Sequence, residues 1–110
     1  MVEKLETILS RGTTTTRMRD YYDIYILLHL FGRDINEELL KRDFQETAQY
    51  RGSFNNIKTN GFEYIYMIEA SEVLAKRWEQ YRSNNAYVSK VEWSEALGSV
   101  KKIFEKIQVD

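Results

Sequence analysis

The stretch WSEALGSVKKIFEKI, Trp93–Ile107, decides the fold class. Its apolar residues Trp93, Ala96, Leu97, Val100, Ile103, Phe104 and Ile107 return every three or four positions, the period that lays one stripe along an α-helix. Working backwards from it, the same period recurs, and the 110 residues contain no proline to break a helix. No stretch reads as a strand. The expectation is an all-α protein, a single small bundle of about five or six helices filling one domain, residues 1–110.

Other helices are marked by their stripes and their ends. Val2, Leu5, Ile8 and Leu9 give a first helix that Gly12 is placed to end, and threonines 13–16 offer a loop and capping hydroxyls. Residues 17–31 give a second, with Tyr21, Ile24, Leu28 and Phe31 on one face and Tyr22, Tyr25 and Ile26 widening it. So apolar a helix is expected to be central, with Gly32 as its stop. Asn36 is placed to cap a third, in which Glu37–Lys41 and Glu38–Arg42 are spaced for attraction. Its buried side is expected at Leu39, Leu40, Phe44, Thr47 and Ala48, and its end at Gly52. Residues 53–61, with three Asn and a Gly, read as a loop. Phe62, Ile65 and Ile68 then mark a short helix, and Met67, Ala70, Leu74, Trp78 and Tyr81 another or its continuation, with a kink near Ser71. Ser83, Asn84 and Asn85 break it.

Composition removes several functions. Sixteen Lys and Arg against seventeen Asp and Glu leave a formal charge of -1, so no global field draws in nucleic acid and any such contact is local. No cysteine and one histidine exclude a disulfide framework, a thiol nucleophile and a His-rich metal site. The longest apolar run is too short to span a bilayer, and the charged start MVEKLETILSR is no secretory signal; a cytoplasmic protein is expected. His29, among leucines, reads as a core or boundary residue. Most aromatics, Trp78, Tyr81 and Trp93 among them, read as core rather than as base-stacking surfaces. The pairs Lys41-Arg42, Lys76-Arg77 and Lys101-Lys102 are flanked by acids and read as solvated faces.

Charge is concentrated in the first two helices: Glu3, Lys4, Glu6, Arg11, Arg17, Arg19, Asp20 and Asp23. Asp20 and Asp23 are three apart and share a helix face, so they repel unless a cation lies near. Arg17, Lys4 from the neighbouring helix, an external metal or a substrate amine would serve, and a structural ion-pair network is one reading of the cluster. The order of these residues adds a second. V-E-K-L-E-T-I-L-S-R-G followed by T-R-M-R-D-Y-Y-D-I-Y resembles the signature of AbiEii/AbiGii-type nucleotidyltransferase toxins: E-K-L, an Arg some residues on, then R-x-K/R-D-x-x-D. The T-A-x-x-R-G of residues 47–52 and the W-x-x-Y of residues 78–81 follow it more loosely.

The resemblance implies the C-terminal helical part of such a toxin, from a type IV toxin–antitoxin or abortive-infection phage-defence system. It implies that Lys4 matches the family's functional lysine and Asp20 or Asp23 its aspartate, with Arg11, Arg17 and Arg19 as phosphate or RNA contacts. A lysine ammonium suits a triphosphate, and an aspartate can orient it or an acceptor hydroxyl. The complete enzyme is expected to use Mg2+ and a nucleoside triphosphate, held by a Gly-Ser turn and an Asp-x-Asp pair in an N-terminal α/β core. Neither motif occurs here, since Gly98-Ser99 lies inside the last helix and is followed by Val100, Lys101 and Lys102. No metal site or cofactor is therefore expected in this chain, and no activity from it alone. The expected partners are the missing nucleotidyltransferase domain, a cognate antitoxin and an RNA acceptor, together with self-association through Met18, Tyr21, Tyr22 or Tyr25. The alternative is a non-enzymatic helical module that binds an antitoxin or a separate nucleotidyltransferase chain; a degenerate remnant is a third reading.

Overall fold

Helix α6 spans Trp93–Ile107, and Ala96, Leu97, Val100, Ile103, Phe104 and Ile107 of the expected stripe are buried. Before it come α1 (Val2–Arg11), α2 (Met18–Phe31), α3 (Glu37–Arg51), α4 (Phe54–Ala70) and α5 (Glu72–Asn84), with 3-10 turns at Gly12–Thr14, Gly32–Asp34 and Ala86–Val88. The computed structural model describes residues 1–14 and 17–107, and no strand occurs among them. The protein is all-α. Helix α6 packs against α2, α3 and α5, while α1 lies against α2, α3 and α4, so one core runs through all six helices.

Local chemistry accounts for most helix ends. The Asn36 side chain accepts the Leu39 N–H at 3.1 Å and starts α3. Gly52 ends it in the left-handed conformation, φ 78, ψ 14, its N–H donating to the Ala48 and Gln49 carbonyls. Ser71 closes α4 and opens α5 with one residue: its N–H donates to the Ile68 carbonyl and its hydroxyl accepts the Leu74 N–H. The expected kink is thus a break. Gly32 follows the last residue of α2, as expected, but keeps right-handed angles, so the chain tightens there into a 3-10 turn. Helix α2 is entered from Arg17 without a side-chain cap; Thr14 instead donates to the Arg11 carbonyl, and Thr15 and Thr16 lie outside the described residues.

The larger correction concerns residues 53–61, which form no loop: Ser53 precedes α4, and residues 54–61 are its first turns. Ile57, Gly61, Ile65 and Ile68 are all buried, a stripe in which glycine occupies an apolar position. A β-carbon on Gly61 would overlap the Phe104 ring, so the residue that reads as a turn former is there for close helix approach. Polar residues on the outer face are tied within the helix: Asn60 Nδ2 and the Tyr64 hydroxyl both donate to Asn56 Oδ1, at 2.9 and 2.8 Å.

Helix α2 is central only in its first half. Met18, Tyr21 and Ile24 are in the core, whereas Leu30 and Phe31 are exposed, because α6 offers that half only small, polar and charged residues, Ser94, Glu95, Gly98, Ser99, Lys102 and Lys106, across an open groove. His29 is correspondingly exposed, stacked on Tyr25 at 4.6 Å, and is not a core histidine. Burial of Met18 and Tyr21 removes them from any self-association surface; Tyr21 packs edge-on against Trp93 instead. Large apolar side chains are exposed elsewhere, at Phe62, Tyr66, Met67 and Val73 of α4 and α5. Trp78 is fully buried, its indole N–H donating to the Val91 carbonyl at 3.0 Å, but Tyr50, Tyr66 and Tyr87 lie outside the core. On α3, Leu39 is exposed and Glu37 pairs with Lys106 of α6 at 2.9 Å rather than with Lys41.

Candidate functional site

Burial of Leu5, Ile8 and Leu9 turns one face of α1 inward and leaves Lys4 at the edge that meets α2. In the same way Met18, Tyr21 and Ile24 seat the first turns of α2, which brings Asp20 and Asp23 to that edge. Lys4 Nζ lies 2.8 Å from Asp23 Oδ2 and 3.6 Å from Asp20 Oδ1. Arg17 Nε approaches Asp20 Oδ2 at 3.5 Å, and Arg19 Nε approaches Asp23 Oδ1 at 3.7 Å. The repulsion between the two carboxylates is thus answered from within the chain, by both cations that the spacing suggested. Three cations meet two carboxylates, and the cluster keeps an excess positive charge.

Exposure grades across the cluster. The Asp20 side chain is 3% exposed, Asp23 20% and Lys4 35%. The hydrogen bond to Asp23, opposed by partial burial and aided by the charges of Asp23 and Asp20, raises the Lys4 pKa above its ordinary value. Lys4 is therefore a fixed ammonium at neutral pH. Among the described residues, Asp20 Oδ2 has no hydrogen-bond partner and neither has the buried Tyr21 hydroxyl beside it. Burial first, then the charge of Asp20, pushes the Tyr21 phenol pKa upward.

Of the six residues singled out in the sequence, five are brought together: Lys4, Arg17, Arg19, Asp20 and Asp23. Arg11 is exposed at the end of α1 and makes no ion pair with either aspartate. Sequence reasoning missed a second cluster on α1. Glu6, 3% exposed, accepts from Arg51 Nη1 at 2.8 Å and from the Ser53 hydroxyl at 3.1 Å, and Arg51 Nη1 also reaches Thr7 Oγ1 at 3.2 Å. Its one signal was the T-A-x-x-R-G segment, which contains Arg51. A third group adjoins the first: Tyr87 lies edge-on to Tyr22 at 5.0 Å and shares a hydrogen bond with the Tyr81 hydroxyl.

The donor set does not fit a magnesium pair. Among the described residues no group of three or more His, Cys, Asp or Glu side chains could hold a metal ion. The Asp20 and Asp23 carboxylates already share a cation, the Lys4 ammonium.

Fold and cluster together define a helical protein whose polar edge presents a lysine clamped by two aspartates and flanked by arginines. The chain belongs to the family of nucleotidyl transferase AbiEii toxins of type IV toxin–antitoxin systems, whose model matches residues 1–99 and so takes in every residue of the cluster. Comparison with curated proteins and with solved structures gave no match. No helix among the described residues is long and apolar enough to cross a membrane.

Proposed function

We propose that this chain is the helical accessory part of a nucleotidyltransferase toxin, that it contributes Lys4 to a composite active site, and that it is inactive alone. The observation that carries the reading is the Lys4 ammonium, held at 2.8 Å by Asp23 and at 3.6 Å by Asp20 yet still 35% exposed. A charge fixed in place before substrate arrives stabilises a transition state better than a mobile one, since no reorganisation is needed during reaction. Nucleotidyl transfer builds negative charge on the phosphate oxygens as the pyrophosphate leaves. Lys4 meets that charge, and Asp20 and Asp23 are positioning residues that set its direction and keep it protonated. Arg17 and Arg19 extend the positive edge along α2 towards phosphates of the substrate. Magnesium, the nucleoside triphosphate and the carboxylates that clamp them belong to a nucleotidyltransferase core, because the acidic groups here are already committed to Lys4. An antitoxin partner, an RNA acceptor, a cytoplasmic location and a role in phage defence go with this reading.

The test is nucleotide incorporation into RNA by the complete or reconstituted toxin, comparing wild type with Lys4→Ala and Asp20→Ala. Each variant is expected to lower the rate by ~10²-fold or more. The chain by itself is expected to incorporate nothing. Unchanged rates in both variants, with helicity retained, remove the assignment. The exposed Phe62, Tyr66, Met67 and Val73 favour a second reading, a non-enzymatic module that docks an antitoxin or a separate nucleotidyltransferase chain through α4 and α5. Under that reading Lys4→Ala is silent, and polar substitutions at Tyr66 and Met67 abolish assembly.

A further inference from the structure

Tyr87 is 51% exposed, although Val88 beside it is fully buried and anchors the Ala86–Val88 turn. Its ring is nevertheless held in one orientation. It meets Tyr22 edge-on at 5.0 Å and Tyr81 edge-on at 6.2 Å, and the two hydroxyls of Tyr81 and Tyr87 are hydrogen-bonded. Tyr81 rests in turn on the buried Trp78, with ring centroids 5.6 Å apart. An exposed aromatic ring normally samples several rotamers; this one is braced on two sides and tethered at its tip.

What lies next to it gives the ring a use. Tyr22 follows Arg19 by three residues on α2, less than one helical turn or roughly 4.5 Å of rise, and directly precedes Asp23. The braced ring therefore sits at the end of the edge formed by Arg19, Asp23 and Lys4. The Arg19 side chain is 72% exposed, and its ion pair with Asp23 engages Nε at 3.7 Å, leaving the two terminal nitrogens unused among the described residues. A planar apolar face beside a guanidinium suits a ligand that is itself a planar ring joined to a phosphate.

We infer that Tyr87, braced by Tyr22 and Tyr81, is a stacking platform for the base of a nucleotide unit whose phosphate lies against Arg19. The inference rests on the proposed role of the Lys4 edge in phosphate chemistry and adds to it a base subsite. Stacking on an aromatic side chain tolerates any base, so the platform selects a nucleotide without selecting a sequence. The unit comes either from a single strand of RNA or from the nucleoside triphosphate.

Both sources are tested on the full chain by fluorescence anisotropy, with a labelled eight-residue oligoadenylate as one probe and unlabelled ATP as its competitor. Displacement by ATP at concentrations near its binding to the complete toxin assigns the platform to the triphosphate, and failure of ATP to displace assigns it to the strand. In either case Tyr87→Ala is expected to weaken binding by ~10-fold, the effect of losing one stacked base, and Tyr87→Phe, which keeps the ring, by no more than about twofold. Circular dichroism of each variant separates a lost ring from a lost fold. Tyr87→Ala binding as tightly as wild type, or wild type binding neither probe saturably, overturns the inference. Its fate is separable from that of the Lys4 site. In the complete toxin Tyr87→Ala should raise KM for the bound substrate with kcat little changed, whereas Lys4→Ala should lower kcat; loss of transfer with Lys4→Ala beside an unaltered KM with Tyr87→Ala sinks the platform and leaves the Lys4 site standing.

Discussion

Among the described residues two carboxylates, Glu6 and Asp20, are almost completely buried, and they are treated differently. Glu6 has both oxygens filled, one by the Arg51 guanidinium and one by the Ser53 hydroxyl, and it thereby ties α1 to the corner where α3 turns into α4. Asp20 is as deeply placed, but its cations stand at 3.5 and 3.6 Å and Oδ2 accepts no hydrogen bond among the described residues. A buried acceptor without a close donor costs about 1–3 kcal/mol, so among the described residues Asp20 is held less tightly than Glu6. Glu6 spends its bonding capacity on holding α1 to the α3–α4 corner; Asp20 faces two cations at longer range, one of them the part-exposed Lys4 ammonium.

The sharpest way to break this contrast is Glu6→Ala. It removes the buried acceptor that Arg51 and Ser53 share and is expected to destabilise by about 2 kcal/mol, lowering the melting temperature on the order of 10 °C in a circular-dichroism melt. Restoring most of that loss with Glu6→Leu and Arg51→Met together would show that the link works by satisfaction and packing and not by charge as such. Asp20→Asn comes next, at about 1 kcal/mol or less, because the amide keeps the shape and Lys4 retains Asp23. A larger loss from Asp20→Asn than from Glu6→Ala would reverse the roles assigned to the two carboxylates.

A smaller effect separates the sites by pH. Lys4 holds its proton beyond its ordinary pKa of 10.5, and the buried phenol of Tyr21 and the half-buried phenol of Tyr81, bonded to Tyr87, hold theirs beyond the ordinary 10.0. Between the unfolded and folded values the native chain binds more protons than the unfolded one. Stability from these groups is thus complete below about pH 10 and falls as pH rises further. The urea midpoint should be level from about pH 7 to 9 and decline above pH 10, with a shallower decline in Lys4→Met. The smallest effect expected is that of Lys106→Ala, which cuts a surface pair with Glu37 and should shift stability by less than about 0.5 kcal/mol.

How far these sites could be read in advance follows from what each depends on. Helices α1 and α6 were legible because their stripes are unbroken and one-sided, and Asn36 and Gly52 because capping acts within a few residues. Helix α4 was hidden by Gly61: a glycine in a stretch rich in Asn reads as a turn, and only the Phe104 ring across the interface shows why it is needed. The exposed end of α2 was misjudged because apolar content does not say whether a neighbouring helix reaches far enough to cover it. Lys4, Asp20 and Asp23 could be grouped beforehand, since two aspartates three apart on a helix demand a cation and the spacing resembles a known signature. Glu6 could not, because its partners lie 45 and 47 residues away and meet it only through the α3–α4 corner.

The contact between Gly61 and Phe104 also sets the mechanical character of the bundle. Along the stripe, the neighbours of Gly61 one turn away in either direction are Ile57 and Ile65, both buried and both branched at the β-carbon. Sliding α4 by a turn would drive one of them into the ring, so the helix has a single seat, like a key with one notch. A partner pressing on the exposed side of α4 could not make it slip. The push would pass through Phe104 into α6 and so to the helix that α6 supports, α2, which carries Arg19, Asp20 and Asp23.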